Sequence, residues 1–423
     1  MISLLNLGIH KWSTMLMWAI GFYCVLILNQ HFLIPLRYIP WALIAVVLLI
    51  TFWQFNSAKS LSLNITPYYP QKSVRRLLML VFALSICFLI GTIFGEHSDM
   101  RSIFALLTIY IGPIFLGVIA IFALPKNIKT VEFFCHACVV AVLFLALTDT
   151  LHYARDWYRL GHFAIDSSHR WFGDGYLFFI PWVLLGFIKS KGILKRCIWL
   201  AAIFWLFLLL SGTGSRAIIG IALLELVMFM SFYWRRVIAF ILPLVLIAAF
   251  QLGSMIMAAP TSVARVAEHG LYVKNRVDDA WLPVLDFIQS SPWIGYGFSR
   301  IAWDKAYSIF IVTHPGWPGV NMGGPHNQVL DVAFIGGIIA AVFFLCICFY
   351  IVKILLGIVL KSPFELAGPA LATLCSFIDF YLVRGLVESC RWEPLGITLM
   401  WVLLLSYLDK QRQYLTSQEL SNG

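Results

Sequence analysis

The stretch Val329–Leu356, VLDVAFIGGIIAAVFFLCICFYIVKILL, decides the class of this chain. Its charges are Asp331 near one end and Lys353 near the other, and the residues between are almost all apolar. A helix spans the hydrocarbon of a bilayer with about 20 apolar residues, so this run reads as a membrane span. Similar runs recur along the whole sequence. Hydrophobic residues make up 61% of it and charged residues 12%, against about 25% charged in a soluble domain. Such a chain cannot clothe a water-facing surface. No alternating β-barrel period appears, so helices must satisfy the backbone in lipid.

The expected fold is an all-α polytopic membrane protein with about twelve spans. They are placed near 12–31, 38–56, 77–95, 102–124, 131–150, 176–188, 197–212, 217–233, 237–257, 329–356, 366–387 and 395–408. The first of these lacks a small-residue cleavage site and reads as a retained span. The whole of 1–423 reads as one integral membrane domain, with a large loop at 258–327 inside it. The nine cysteines lie mostly in apolar runs. Cys135 and Cys138 have redox-motif spacing, yet they open a span and read as small buried hydrophobes.

The net charge of +10 has a topological explanation. Alternate loops carry Lys72, Arg75 and Arg76, then Lys126 and Lys129, then Lys189, Lys191, Lys195 and Arg196, then Arg235 and Arg236, and finally Lys410 and Arg412. By the positive-inside rule these loops and both termini face the cytoplasm. Nucleic acid is not needed to explain the basic balance. The opposite face carries arginines: Arg155, Arg159 and Arg170 in one loop, Arg216 at a hairpin, and Arg265, Arg276 and Arg300 in the largest loop. The planar guanidinium fork suits phosphate or carboxylate in a partly dry site.

Long loops inside compact folds are usually functional. Within this one, 275–290 is expected to be a helix lying along the membrane, with Val277, Trp281, Val284, Leu285 and Ile288 on its apolar side. Ser291-Pro292-Trp293-Ile294-Gly295-Tyr296-Gly297 breaks it, and a Pro- and Gly-rich approach leads to His326.

Two places can carry chemistry. In Thr213-Gly214-Ser215-Arg216, hydroxyls and a glycine let an arginine approach an anion at the membrane boundary. In Pro325-His326-Asn327, the histidine opens a span, where the helix dipole and neighbouring arginines disfavour imidazolium and suit a general base. His314 and the adjacent Asp278-Asp279 lack metal-ligand spacing, so no metal and no cofactor are expected. The intramembrane acids Asp149, Glu225, Asp331 and Asp379 keep a transporter reading open.

These motifs resemble the O-antigen ligase and polymerase superfamily. Thr213-Gly214-Ser215-Arg216 is similar to its hydroxyl-x-hydroxyl-Arg motif, Lys274-Asn275-Arg276 with Ser291-Pro292 and Gly295-x-Gly297 to its central loop signature, and His326-Asn327 with Gly337 to its histidine motif. Arg170-Trp171-Phe172-Gly173 resembles an earlier arginine-glycine element. The resemblance implies a membrane-embedded glycosyltransferase of the GT-C-like class in the bacterial inner membrane, its active site facing the periplasm. Its donor would be O-antigen glycan on undecaprenyl pyrophosphate and its acceptor the lipid A-core, with membrane lipids around it and neither metal nor nucleic acid involved. His326, Arg216 and Arg276 would be catalytic. Arg170, Arg265, Ser215, Asn327 and Arg300 would bind substrate. O-antigen polymerase, protein O-oligosaccharyltransferase and a lipid-linked oligosaccharide flippase are the alternatives. A single very large external loop favours the ligase over the polymerase.

Overall fold

The computed structural model describes residues 2–26, 38–61, 71–96, 99–160, 167–212, 216–233, 277–315, 317, 321 and 323–422. Every regular element among them is helical. In chain order they are α1 (Ile2–Leu26), α2 (Ile39–Leu61), α3 (Lys72–Phe94), α4 (Met100–Ala123), α5 (Ile128–Leu160), α6 (Ser167–Lys189), α7 (Ile193–Gly212) and α8 (Arg216–Tyr233). Then come α9 (Leu282–Ser290), α10 (Arg300–Thr313), α11 (Gln328–Lys361), α12 (Phe364–Leu386) and α13 (Glu393–Asn422). Seven described helices are long and apolar enough to cross a bilayer, and shorter apolar helices occur within 12–25, 39–51 and 218–229. The protein is a polytopic membrane protein. The expected span at 237–257 lies outside the described residues.

The helices pack as membrane helices do, with small residues where axes cross closely. Gly117 of α4 meets Gly396 of α13 backbone to backbone. Tyr176 of α6 donates its hydroxyl hydrogen to Asp149 of α5 at 2.7 Å, so that intramembrane acid has a structural partner. Glu225 of α8 and Asp379 of α12 are fully buried, and their carboxyl oxygens have no hydrogen-bond partner among the described residues.

Three expectations change in the structure. Arg155 and Arg159 lie on the last turns of α5 and Arg170 in the first turn of α6, not in a common loop. The helix in the large loop begins with a π-helical turn, Val277–Trp281, before α9. The wider turn shifts the phase, so Ala280, Pro283, Val284 and Phe287 are buried while Leu285 is 44% exposed. The tenth span is also not one continuous helix. α11 breaks at Gly336 and at Gly337, whose φ is +80° and ψ 178°.

That break organises the region above it. The carbonyls of Phe334 and Ile335 accept from Tyr296 N at 2.7 Å and Gly297 N at 3.1 Å. Ile338 N donates to Pro292 O at 2.8 Å. Thus the loop 292–297 satisfies backbone groups that the broken helix releases, as buried backbone requires. Two glycine elements far apart in the chain, Gly295-x-Gly297 and the break at Gly337, are docked on each other. Tyr296 stacks on Phe334 at 5.2 Å, and Phe298 N donates to Thr92 Oγ1 of α3 at 3.0 Å.

Candidate active site at the start of α11

Asn327 is the N-cap of α11. Its Oδ1 accepts from Val329 N at 3.0 Å and Leu330 N at 3.1 Å, satisfying two of the donors a helix start leaves open. Its Nδ2 donates to Leu386 O at 3.0 Å. Asn327, expected to bind substrate, also caps α11 and remains part-exposed. Gln328, fully buried, accepts at Oε1 from Cys390 N. Residues 326–328 therefore grip the turn between α12 and α13 with three consecutive side chains.

The first of the three is His326. Its Nδ1 lies 2.5 Å from Glu388 Oε2, with about a quarter of each side chain exposed. An ionised carboxylate only accepts, so Nδ1 carries the hydrogen and Nε2 is the nitrogen suited to take up a proton. This is the base-plus-orienting-carboxylate arrangement used to activate hydroxyl groups. His326 sits at φ +50°, in the left-handed region where non-glycine residues seldom lie. Such backbone outliers cluster at functional sites.

Behind the pair, Arg384 Nη2 lies 2.7 Å from Asp174 Oδ1 of α6, with both side chains under a tenth exposed. Arg391 bonds Glu393 at 3.2 Å. Cys390 donates from Sγ to Phe380 O at 2.9 Å. Burial pushes its thiol up to about 12, so it is not a thiolate nucleophile at neutral pH.

On the other side, Asn321 Oδ1 accepts from Trp303 Nε1 at 2.9 Å and Gly323 N at 2.8 Å. Asn321 thereby fixes the approach to His326. Arg300 opens α10, pairs weakly with Asp304 at 3.6 Å and lines a cavity that also includes Pro325 and Asp331. Arg216 begins α8, but its side chain and that of Arg170 lie outside the described residues, as do Ser215, Arg265 and Arg276.

Glu388, Arg384 and Asp174 were missed in the sequence. The segment Val387-Glu388-Ser389-Cys390-Arg391-Trp392-Glu393-Pro394 packs three charges between two apolar runs, and that density was the available signal.

Comparison with known proteins bears on this geometry. Residues 175–345 match the model described as O-antigen ligase, a stretch holding residues 213–216, 274–276, 295–297, 326–327 and Gly337. The match is to the O-antigen ligase family. An O-antigen ligase of Salmonella typhimurium is 25% identical over 278 residues, covering 61% of this chain and 65% of that protein. A putative polysaccharide ligase of Rickettsia felis is 28% identical over 145 residues, covering 34% of this chain and 32% of that one. The chain thus aligns with less than two thirds of either relative. Glu388 lies beyond the O-antigen ligase match, so its place beside His326 is a finding of the structure alone.

If Glu388 orients the imidazole, Glu388→Gln keeps the size and removes the charge. In the transferase reading proposed below, activity is expected to fall at least about tenfold, or 1.4 kcal/mol of barrier, with little change in the amount of membrane-inserted protein. Rates of the two proteins at equal membrane loading check it.

Proposed function

We propose that the protein is a ligase that transfers O-antigen glycan from undecaprenyl pyrophosphate to a sugar hydroxyl of the lipid A-core. The observation that carries this is the Glu388–His326 pair at the start of α11, its histidine lying within the stretch 175–345 that matches the O-antigen ligase model. The acceptor hydroxyl gives its proton to His326 Nε2, and its oxygen forms the new bond to the anomeric carbon. The bond from that carbon to the diphosphate breaks, and the diphosphate leaves with the electron pair. In-line displacement inverts the anomeric centre. Arg216 and Arg276 stabilise charge on the leaving group, with Arg170, Arg265, Ser215 and Arg300 binding substrate. Asn327 binds substrate as well as capping α11 beneath the histidine. The reaction uses no metal. In this reading the chain is a single domain of about twelve spans, its 258–327 loop and active site face the periplasm, and both termini are cytoplasmic.

Deleting the gene tests the reading. A lipid A-core bearing no polymer supports a ligase, whereas a core carrying one repeat unit supports a polymerase. Unchanged lipopolysaccharide defeats both. Transfer by the purified protein is expected to survive chelator treatment. Arg216→Ala and Arg276→Ala are each expected to lower transfer about 100-fold. Lysine at either position restores little, because a point charge does not reproduce the fork.

A further inference from the structure

Beside His326 lies a cavity of about 180 Å³ whose walls include Trp303, Trp392, Asp331, Ser389 and Arg300. Its lining combines largely buried aromatic side chains with a few polar groups, the composition of a small-ligand site. Ser389 Oγ is buried and has no hydrogen-bond partner among the described residues. A buried hydroxyl left so costs about 1–3 kcal/mol, which calls for a ligand or a water. Asp331 reaches the same space from the first turn of α11 and lies within electrostatic range of His326. No hydrogen bond among the described residues engages its carboxylate.

The walls are rigid. Trp303 is held through Nε1 by Asn321 and packs edge-on to Phe334 at 5.4 Å. Trp392 packs edge-on to Phe88 at 5.3 Å and Tyr110 at 5.1 Å. At about 180 Å³ the space is smaller than the roughly 300–1,000 Å³ of pockets for drug-sized ligands, room for about one ring. A ring that offers C–H groups to indole edges and hydroxyls to a carboxylate and a serine is a pyranose.

We infer that this cavity is a monosaccharide subsite that seats the acceptor's sugar ring, with Asp331 and Ser389 holding its hydroxyls and Trp303 and Trp392 flanking it. The inference rests on the transferase reading for the word acceptor, but not for the sugar. Arg300, 75% exposed at its side chain, stands at the rim for an anionic substituent on that sugar. The subsite sets which core sugar receives the glycan.

Two measurements on the full chain in detergent separate the claims. Saturation-transfer NMR with the methyl glycosides of glucose, galactose and N-acetylglucosamine is expected to show binding of at least one. That binding weakens at least tenfold in Ser389→Leu, which fills the cavity, and severalfold in Ser389→Ala, which keeps its shape. No binding, or equal binding by wild type and both variants, overturns the subsite. In transfer assays Ser389→Ala is expected to raise KM for lipid A-core severalfold and leave KM for the lipid-linked donor unchanged. A rise confined to the donor's KM assigns the cavity to the donor and overturns the acceptor role. If the wild type binds glycosides but transfers nothing, the ligase reading falls and the sugar subsite stands.

Discussion

Replacing His326 with alanine is expected to lower glycan transfer by roughly 10²–10⁴-fold, the range a positioned general base contributes. Membrane insertion should be unaffected, since about a quarter of the side chain is exposed and the α11 cap belongs to Asn327. Backbone geometry complicates alanine. At φ +50° it keeps a left-handed residue without the histidine contacts that hold it there, a cost of about 1–2 kcal/mol. His326→Asn controls for this, because asparagine tolerates that region yet offers no comparable base. Transfer by purified His326→Asn at equal protein should therefore be as low as that of the alanine variant. Near-wild-type transfer by either would remove the histidine from the mechanism. Glu388→Gln should show an intermediate loss, because it disturbs the base without deleting it.

The second large effect concerns the break in α11. Gly337→Leu is expected to abolish accumulation of folded protein, measured by size-exclusion profile after detergent extraction. Its φ of +80° with ψ near 180° belongs to a region open essentially to glycine, costing other residues about 1–3 kcal/mol. A Cβ there would also stand 2.5 Å from Trp293 O and 2.7 Å from Pro292 O, with no flexible side chain to yield. Gly295 is under the same pressure from the opposite side: at φ +76°, its Cβ would meet Ile335 O at 2.6 Å. Both substitutions separate the loop 292–297 from α11 and leave Phe334 O, Ile335 O and Ile338 N without partners. A monodisperse Gly337→Leu protein with wild-type transfer would show that the docking is dispensable.

The membrane class was readable because hydrophobic length is a one-dimensional property. Val329–Leu356 announces a span without any knowledge of its neighbours. Its break was not readable, because Gly336-Gly337 is tolerated inside an unbroken membrane helix as well; the reason for the kink lies in residues 292–297. Of the face expected for the helix at Val277, only Leu285 turned outward, because a π-helical turn carries no sequence period of its own. His326 stood out for its setting between a proline and a long apolar run. Glu388 did not, since its meaning depends on a hydrogen bond spanning 62 positions. Motif reading found the two segments whose glycines need special backbone, and missed the carboxylate, which needs only to be near.

The grip of residues 326–328 on the turn before α13 has a consequence for biogenesis. A ribosome makes His326 well before Glu388, Leu386 and Cys390. The histidine therefore enters the bilayer surface without its carboxylate, and Gln328 without its backbone partner. The pair assembles only when α12 has threaded the membrane and α13 has begun to follow. During synthesis the proposed base therefore lacks its carboxylate until the turn between α12 and α13 has been made.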